Sequence, residues 1–131
     1  MLERLAFLES NIAKLKLFKK RKSLEDIQND PFDEWALRYG LFESIQIVID
    51  LACHMAGKYN LGVTKSYADC IGKLAEHDYI DSKLSKRLIA AVGLRNLLIH
   101  EYVAVDPKRL YGFLEHVKDF ERFVEKIAKA L

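Results

Sequence analysis

An arginine and a histidine five residues apart, Arg95 and His100, are the pair in this sequence best equipped for chemistry. Tyr102 follows two residues later, and Asn96 sits beside the arginine. A guanidinium fork can grip a phosphate and stabilise negative charge that builds on it. An imidazole titrates close to neutral pH and can take up or deliver a proton. The asparagine amide could orient the histidine or a phosphate, or could serve as a structural hydrogen bond. His54, His77 and His116 are scattered, and no carboxylate-rich cluster at ligand spacing accompanies them. Neither a metal nor another cofactor is therefore expected.

The element that must position these groups is a helix predicted over residues 82–101, opened by Asp81-Ser82. One apolar stripe steps through Leu84, Leu88 and Ala91 to Arg95, Leu98 and Tyr102, and a neighbouring one through Ile89 and Val92 to Asn96 and Ile99. Arg95 and Asn96 thus fall where the pattern asks for core residues. An inward guanidinium is costly unless it is paired or lines a wet pocket. Two arrangements satisfy that demand: a cleft, or a buried ion pair with Glu43 or Asp50. Residues five apart point roughly 140° away from each other on a regular helix. Either the helix ends or distorts near Ile99, or two subunits combine their groups. Arg95 and Tyr102, seven apart, are nearly aligned.

The rest of the chain reads as helices that enclose this one. A first helix over 2–22 carries Leu5, Leu8, Ile12, Leu15 and Phe18 (or Leu17) at three- and four-residue steps, then a basic run from Lys14 to Lys22. Ser23 opens a short segment. Asp30-Pro31 starts a central helix over 31–58 that is apolar nearly all round, apart from a stripe of Glu43, Gln46, Asp50 and His54. That stripe suits either a solvent-facing strip or the wall of a shared cleft. Arg38 projects from the same helix, toward the cleft or a surface salt bridge. After a loop marked by Gly57, Asn60 and Gly62, a short helix over 66–77 turns Tyr67, Cys70, Ile71 and Leu74 inward. Asp106-Pro107 begins a last helix that runs to the C-terminus. The expectation is an all-α, antiparallel up-and-down bundle of four long helices plus a short one, a single domain over residues 1–131.

Composition limits the function further. Half of the 131 residues are hydrophobic, 31% are charged, and the net charge is only +2. Nucleic-acid binding would need a local patch rather than a polycationic whole. The first residues carry Glu3, Arg4 and Glu9, which argues against a secretory signal. The apolar stretch 44–57 is short and interrupted, so no membrane span is expected. Two cysteines, Cys53 and Cys70, lie apart in helical stretches and suggest neither zinc nor a disulfide framework; a cytoplasmic, reducing setting fits.

The segment Arg95-Asn96-Leu97-Leu98-Ile99-His100-Glu101-Tyr102 resembles the Arg-x4-6-His motif of the HEPN superfamily, in the Arg-x4-His-x-Tyr form of HepT-like toxins. The stretch from Trp35 to Ile45, the helix order and the length also look like that family. The resemblance implies a toxin paired with an MNT nucleotidyltransferase antitoxin, and RNA cleavage without metal by a homodimer whose two motifs meet across a cleft. It implies Arg95 and His100 as catalytic residues and Tyr102 as the acceptor of adenylylation (AMPylation) that silences the toxin. The residues agree on the parts required, because the 2′-hydroxyl of RNA supplies a nucleophile that DNA lacks. A HEPN-type subunit that only binds nucleotide or substrate for a nucleotidyltransferase is the alternative. A plain helical interaction protein, with Arg95 buried against a carboxylate, is a third.

Overall fold

The computed structural model describes residues 1–100 and 104–131, and among these every regular element is helical. α1 (Leu2–Arg21), α2 (Leu24–Asn29), α3 (Pro31–Lys58), α4 (Tyr67–Glu76) and α5 (Ser82–Ile99) are followed by α6 (Pro107–Gly112) and α7 (Val117–Ile127). Short 3₁₀ turns at Phe113–His116 and Ala128–Ala130 follow α6 and α7.

Local chemistry sets most of these boundaries. Ser23 and Asp26 form a reciprocal capping box that starts α2, so the segment after Ser23 is a helix in its own right. Its Asp26 carboxyl is held below the usual carboxylate range, first by the Ser23 backbone N–H and then by the Ser23 hydroxyl. Asp30 caps α3 through the Phe32 N–H with Pro31 in the first turn, and Asp81 caps α5 through the Leu84 N–H. α3 closes with Asn60 in the left-handed region (φ 53°) and the Leu61 N–H bonded back to the Ala56 carbonyl. The single C-terminal helix expected from the sequence is instead segmented. Gly112, a poor helix former, precedes the 3₁₀ turn, yet the backbone keeps right-handed angles through Val117, so the rod tightens without reversing.

α3 is the central element. α1 lies antiparallel to it, as the pairs Arg4–Asp50, Asn11–Glu43 and Lys22–Asp33 show. Gly40 permits close approach there: a Cβ on it would stand 3.1 Å from Leu15 Cδ2. Leu5, Leu8, Ile12 and Leu15 from α1 meet Leu37, Leu41, Ile45, Val48, Leu51 and Met55 in one core. Burying each such side chain contributes about 1.5–3 kcal/mol. Phe18 rather than Leu17 continues the inward stripe of α1.

α5 is pinned to α7 by a charge cluster around the buried Asp119. Arg87 Nε donates to both carboxylate oxygens of Asp119, at 2.8 and 2.9 Å, and His116 Nδ1 lies 2.9 Å from the same group. This uses His116 as a core-edge histidine. α4 is tied to α3 by a disulfide between Cys53 and Cys70, with Cα atoms 4.9 Å apart. The sequence suggests no such bridge, because the two cysteines stand 17 positions apart in separate helical stretches with no CxxC pair. Packing of α4 across α3 brings them within bonding reach.

Candidate active site

α5 carries its core stripe through Leu84, Leu88, Ala91, Leu94 and Leu98. The periodic pattern admits either Leu94 or Arg95 after Ala91, and the leucine takes the buried place. Arg95 is left half-buried at the edge of the core, and Asn96 is exposed. Neither fills the core position that the spacing suggests. The buried-pair reading fails as well: Arg95 bonds neither Glu43 nor Asp50. Glu43 instead accepts from Asn11, and Asp50 pairs with Arg4.

The partner of Arg95 is Gln46 on α3. Arg95 Nε donates to Gln46 Oε1 at 2.9 Å, while Gln46 Nε2 donates to Asp50 Oδ1, also at 2.9 Å. A relay thus runs from Arg4 through Asp50 and Gln46 to the guanidinium. Arg95 Nη1 donates to Asn96 Oδ1 at 3.2 Å. The guanidinium carbon stands 5.8 Å from the Phe42 ring centroid and 5.1 Å from that of Tyr67. Two aromatic faces therefore hold the cation from two helices. Toward the described residues these hydrogen bonds use Nε and Nη1, which leaves the Nη2 edge outside the support that Gln46 and Asn96 give. The polar stripe of α3 accordingly divides its labour: Glu43 and Asp50 face α1, and Gln46 faces the site.

α5 ends at Ile99, and His100 takes the C-cap with φ −81° and ψ 83°. The helix thus ends at Ile99, one of the two arrangements the spacing allows; the φ of His100 is still close to helical, so its ψ turns the chain that follows and its side chain keeps the angular offset from Arg95. His100 is exposed. Tyr102 lies outside the described residues.

A cleft of about 760 Å³ opens between the start of α3 and the end of α5, lined by Trp35, Arg38, Tyr39, Phe42, Leu98 and Ile99. Arg38 therefore supplements the cleft. Phe32, Trp35 and Tyr39 are 74%, 68% and 60% exposed, unusual for aromatic side chains on a helix expected to be buried nearly all round. Tyr39 Oη donates to Glu43 Oε2 at 2.5 Å, and that carboxylate raises the phenol above its ordinary pKa. A second groove, on the Tyr67 side of Arg95, runs between α4 and α5. Tyr67, expected to point inward, is exposed because it opens α4 beside Arg95 and only Cys70, Ile71 and Leu74 enter the core.

Among the described residues no group of three or more His, Cys, Asp or Glu side chains is placed to hold a metal ion. None of their helices is long and apolar enough to cross a membrane. The basic end of α1 is partly occupied: Lys16 reaches Glu121, and Lys22 pairs with Asp33 at 3.1 Å. Gln46, Phe42 and Tyr67 are the site residues that the motif does not reveal; only the polar stripe on α3 signals Gln46.

The family described as Ribonuclease HepT-like matches residues 8–127, and the chain belongs to that family, within the HEPN superfamily. The chain is 34% identical over 80 residues to an mRNA nuclease HepT of Shewanella oneidensis, a match covering 60% of each protein. It is 28% identical over 90 residues to a tRNA nuclease HepT of Aphanizomenon flos-aquae, covering 68% of this chain and 60% of the relative. The match thus spans 60% of the length of these two curated relatives. Among solved structures, the fold is similar to a tri-AMPylated HEPN toxin of Shewanella oneidensis in complex with an MNT antitoxin. That likeness has a TM-score of 0.88 and 25% identity, over 98% of this chain and 96% of the toxin.

Proposed function

We propose that this protein is the toxin of a HEPN/MNT toxin–antitoxin system, an endoribonuclease that cuts RNA without a metal ion and is silenced by adenylylation of Tyr102. The observation that carries the reading is the mounting of Arg95. Its Nε is fixed by Gln46, its guanidinium carbon stands over the Phe42 and Tyr67 rings, and its Nη2 edge takes no part in the bonds to Gln46 and Asn96, one turn from the helix end where His100 stands. Support comes also from relatives named as mRNA and tRNA nucleases and from a neighbour structure of an AMPylated toxin with its MNT partner.

In the reaction Arg95 holds the scissile phosphate and the charge of the phosphorane. The 2′-oxygen attacks phosphorus, the bond to the 5′-oxygen breaks, and a cyclic 2′,3′-phosphate and a 5′-hydroxyl result. One proton leaves the 2′-hydroxyl and one reaches the 5′-oxygen, the work of His100 and its counterpart in a second copy. The exposed Phe32, Trp35 and Tyr39 beside the cleft suit that second copy, which would bring two Arg95–His100 pairs together. Asn96 supports Arg95 through its amide oxygen. A nucleotidyltransferase partner transfers AMP from ATP to the Tyr102 oxygen with release of pyrophosphate. The bulky anionic adduct, two residues from His100, then repels RNA. RNA as substrate favours action in the cytoplasm, where the Cys53–Cys70 bridge would be open to reduction and the reducing setting expected from two separate cysteines does not follow from the structure.

The test is cleavage of RNA in chelator by the wild type and by His100→Ala, with folding checked by circular dichroism. Cleavage by the wild type and its loss in a folded, dimeric His100→Ala protein is expected. Cleavage that persists in that variant removes His100 from the mechanism. A wild type that binds RNA but cuts none favours the binding-subunit alternative.

A further inference from the structure

The two rings that Arg95 stands over line two different depressions. Phe42 lines the cleft at the start of α3; Tyr67 lines a separate groove of about 580 Å³. That volume lies within the range of about 300–1,000 Å³ usual for small-ligand clefts. Cys53, Cys70, Val92 and Ala68 give the groove an apolar floor, and Lys65 and Asn96 give it a polar rim. The Tyr67 ring, 43% exposed, forms a wall. On α5, Val92, Asn96 and His100 follow at four-residue steps, so the groove and the end of the helix where His100 stands share one side.

The wall is built in advance of any ligand. The Lys65 backbone N–H donates to Asp69 Oδ2 at 2.8 Å, and the Asp69 N–H donates to Ser66 Oγ at 3.1 Å. The Lys65 N–H, ahead of the Ser66 hydroxyl and N–H, holds the Asp69 carboxyl below the usual carboxylate range. The Cys53–Cys70 bridge anchors the first turns of α4 to α3 from beneath. Asn96 Oδ1 is engaged by Arg95 Nη1, which orients the amide and leaves its NH₂ group to donate elsewhere.

We propose that this groove is a nucleobase subsite for the nucleotide next to the phosphate held by Arg95. The inference rests on the ribonuclease reading for the identity of that phosphate. An aromatic wall for stacking, an amide for the base edge and a lysine for the backbone are the elements by which proteins take single-stranded RNA. The base lies against the Tyr67 ring, the Asn96 NH₂ meets an acceptor on the base edge, and Lys65 meets the adjoining phosphate. The groove thereby gives the cleaved bond a base preference on one side.

The experiment measures binding of short single-stranded RNAs carrying 2-aminopurine at each successive position, using the intact protein. Fluorescence reports stacking whether or not the RNA is cut. Quenching confined to one position is expected with wild type and Tyr67→Phe. Tyr67→Ala is expected to bind about tenfold more weakly, the loss of one base–aromatic stack. Because Tyr67 also touches Arg95, Ala68→Trp provides an independent probe: it fills the groove from α4 at a residue outside the Arg95 contacts. It should abolish the position-specific quench and raise KM proportionately more than it lowers kcat. Unchanged affinity and quenching in both Tyr67→Ala and Ala68→Trp overturn the subsite, as does a wild type that quenches no position. Tyr67-dependent quenching without cleavage would overturn the ribonuclease reading and leave the subsite standing. Cleavage insensitive to both substitutions would do the reverse.

Discussion

Replacing Gln46 by alanine removes the one side chain of α3 that hydrogen-bonds Arg95, without touching Arg95 or His100. The structure allows the effect to be sized. Arg95 keeps its contacts with the Phe42 and Tyr67 rings, each worth about 0.5–1 kcal/mol at an exposed site. It also keeps the 3.2 Å bond to Asn96, and it loses the 2.9 Å bond from Nε. A hydrogen bond to a charged group contributes about 1.5–3 kcal/mol, and partial exposure of Arg95 puts this one at the lower end. With about 1.4 kcal/mol per factor of ten in rate, kcat/KM for RNA should fall about tenfold. Gln46→Glu should also impair cleavage: its carboxylate would compete with the substrate phosphate for the guanidinium and face Asp50, which now accepts from the Gln46 amide. Initial rates on a defined RNA in chelator, set beside thermal melts followed by circular dichroism, separate orientation from folding. Gln46 is half-buried on the helix surface, so melting should hardly move. Full activity in a Gln46→Ala protein that melts normally would refute the idea that Gln46 orients Arg95.

Three predictions concern the frame around the site. Asp119→Ala strands Arg87 and His116 between α5 and α7, and should lower the melting temperature by roughly 5–10 °C; a shift within error would mean that the cluster adds nothing. Reduction of the Cys53–Cys70 bridge, or Cys53→Ser, should cost about 3 kcal/mol from the loop it closes. Equal denaturant midpoints with and without reductant, once thiol titration shows two free cysteines, would contradict that. Asp26 and Asp69 titrate below the usual carboxylate range in the folded state, because backbone N–H groups favour the charged form. Their stabilisation is complete above the ordinary carboxylate pKa and is lost as pH falls through the lowered folded values. The melting lead of wild type over Asp26→Asn/Asp69→Asn should therefore shrink toward acid; a lead constant with pH argues against these caps.

The sequence by itself marked most of the helix starts and the two residues best equipped for chemistry, while it left α2 as an unassigned segment and read α6 and α7 as one helix. Ser23 with Asp26, Asp30 with Pro31, Asp81, and Asp106 with Pro107 mark helix starts through contacts that span only two or three residues, so their effect is visible locally. The three- and four-residue spacing of Leu5, Leu8, Ile12 and Leu15 likewise declares an inward face before any partner is known. Arg95 and His100 are marked by their types and spacing. What tertiary structure decided is which neighbours those groups meet. Positions 94 and 95 differ by one residue, about 100° around the helix, and periodicity accepts either; only packing in the shared core seats Leu94 and leaves Arg95 at the rim. Gln46, 49 residues away in sequence, becomes the partner of Arg95 because α3 and α5 lie side by side. Tyr67 faces outward at the head of α4 for the same kind of reason, and Cys53 meets Cys70. Phe32, Trp35 and Tyr39 stand on a helix whose composition suggests burial, yet the other helices of this chain leave them exposed. Local signals act within a turn of helix; the company a side chain keeps depends on elements that the chain must first bring together.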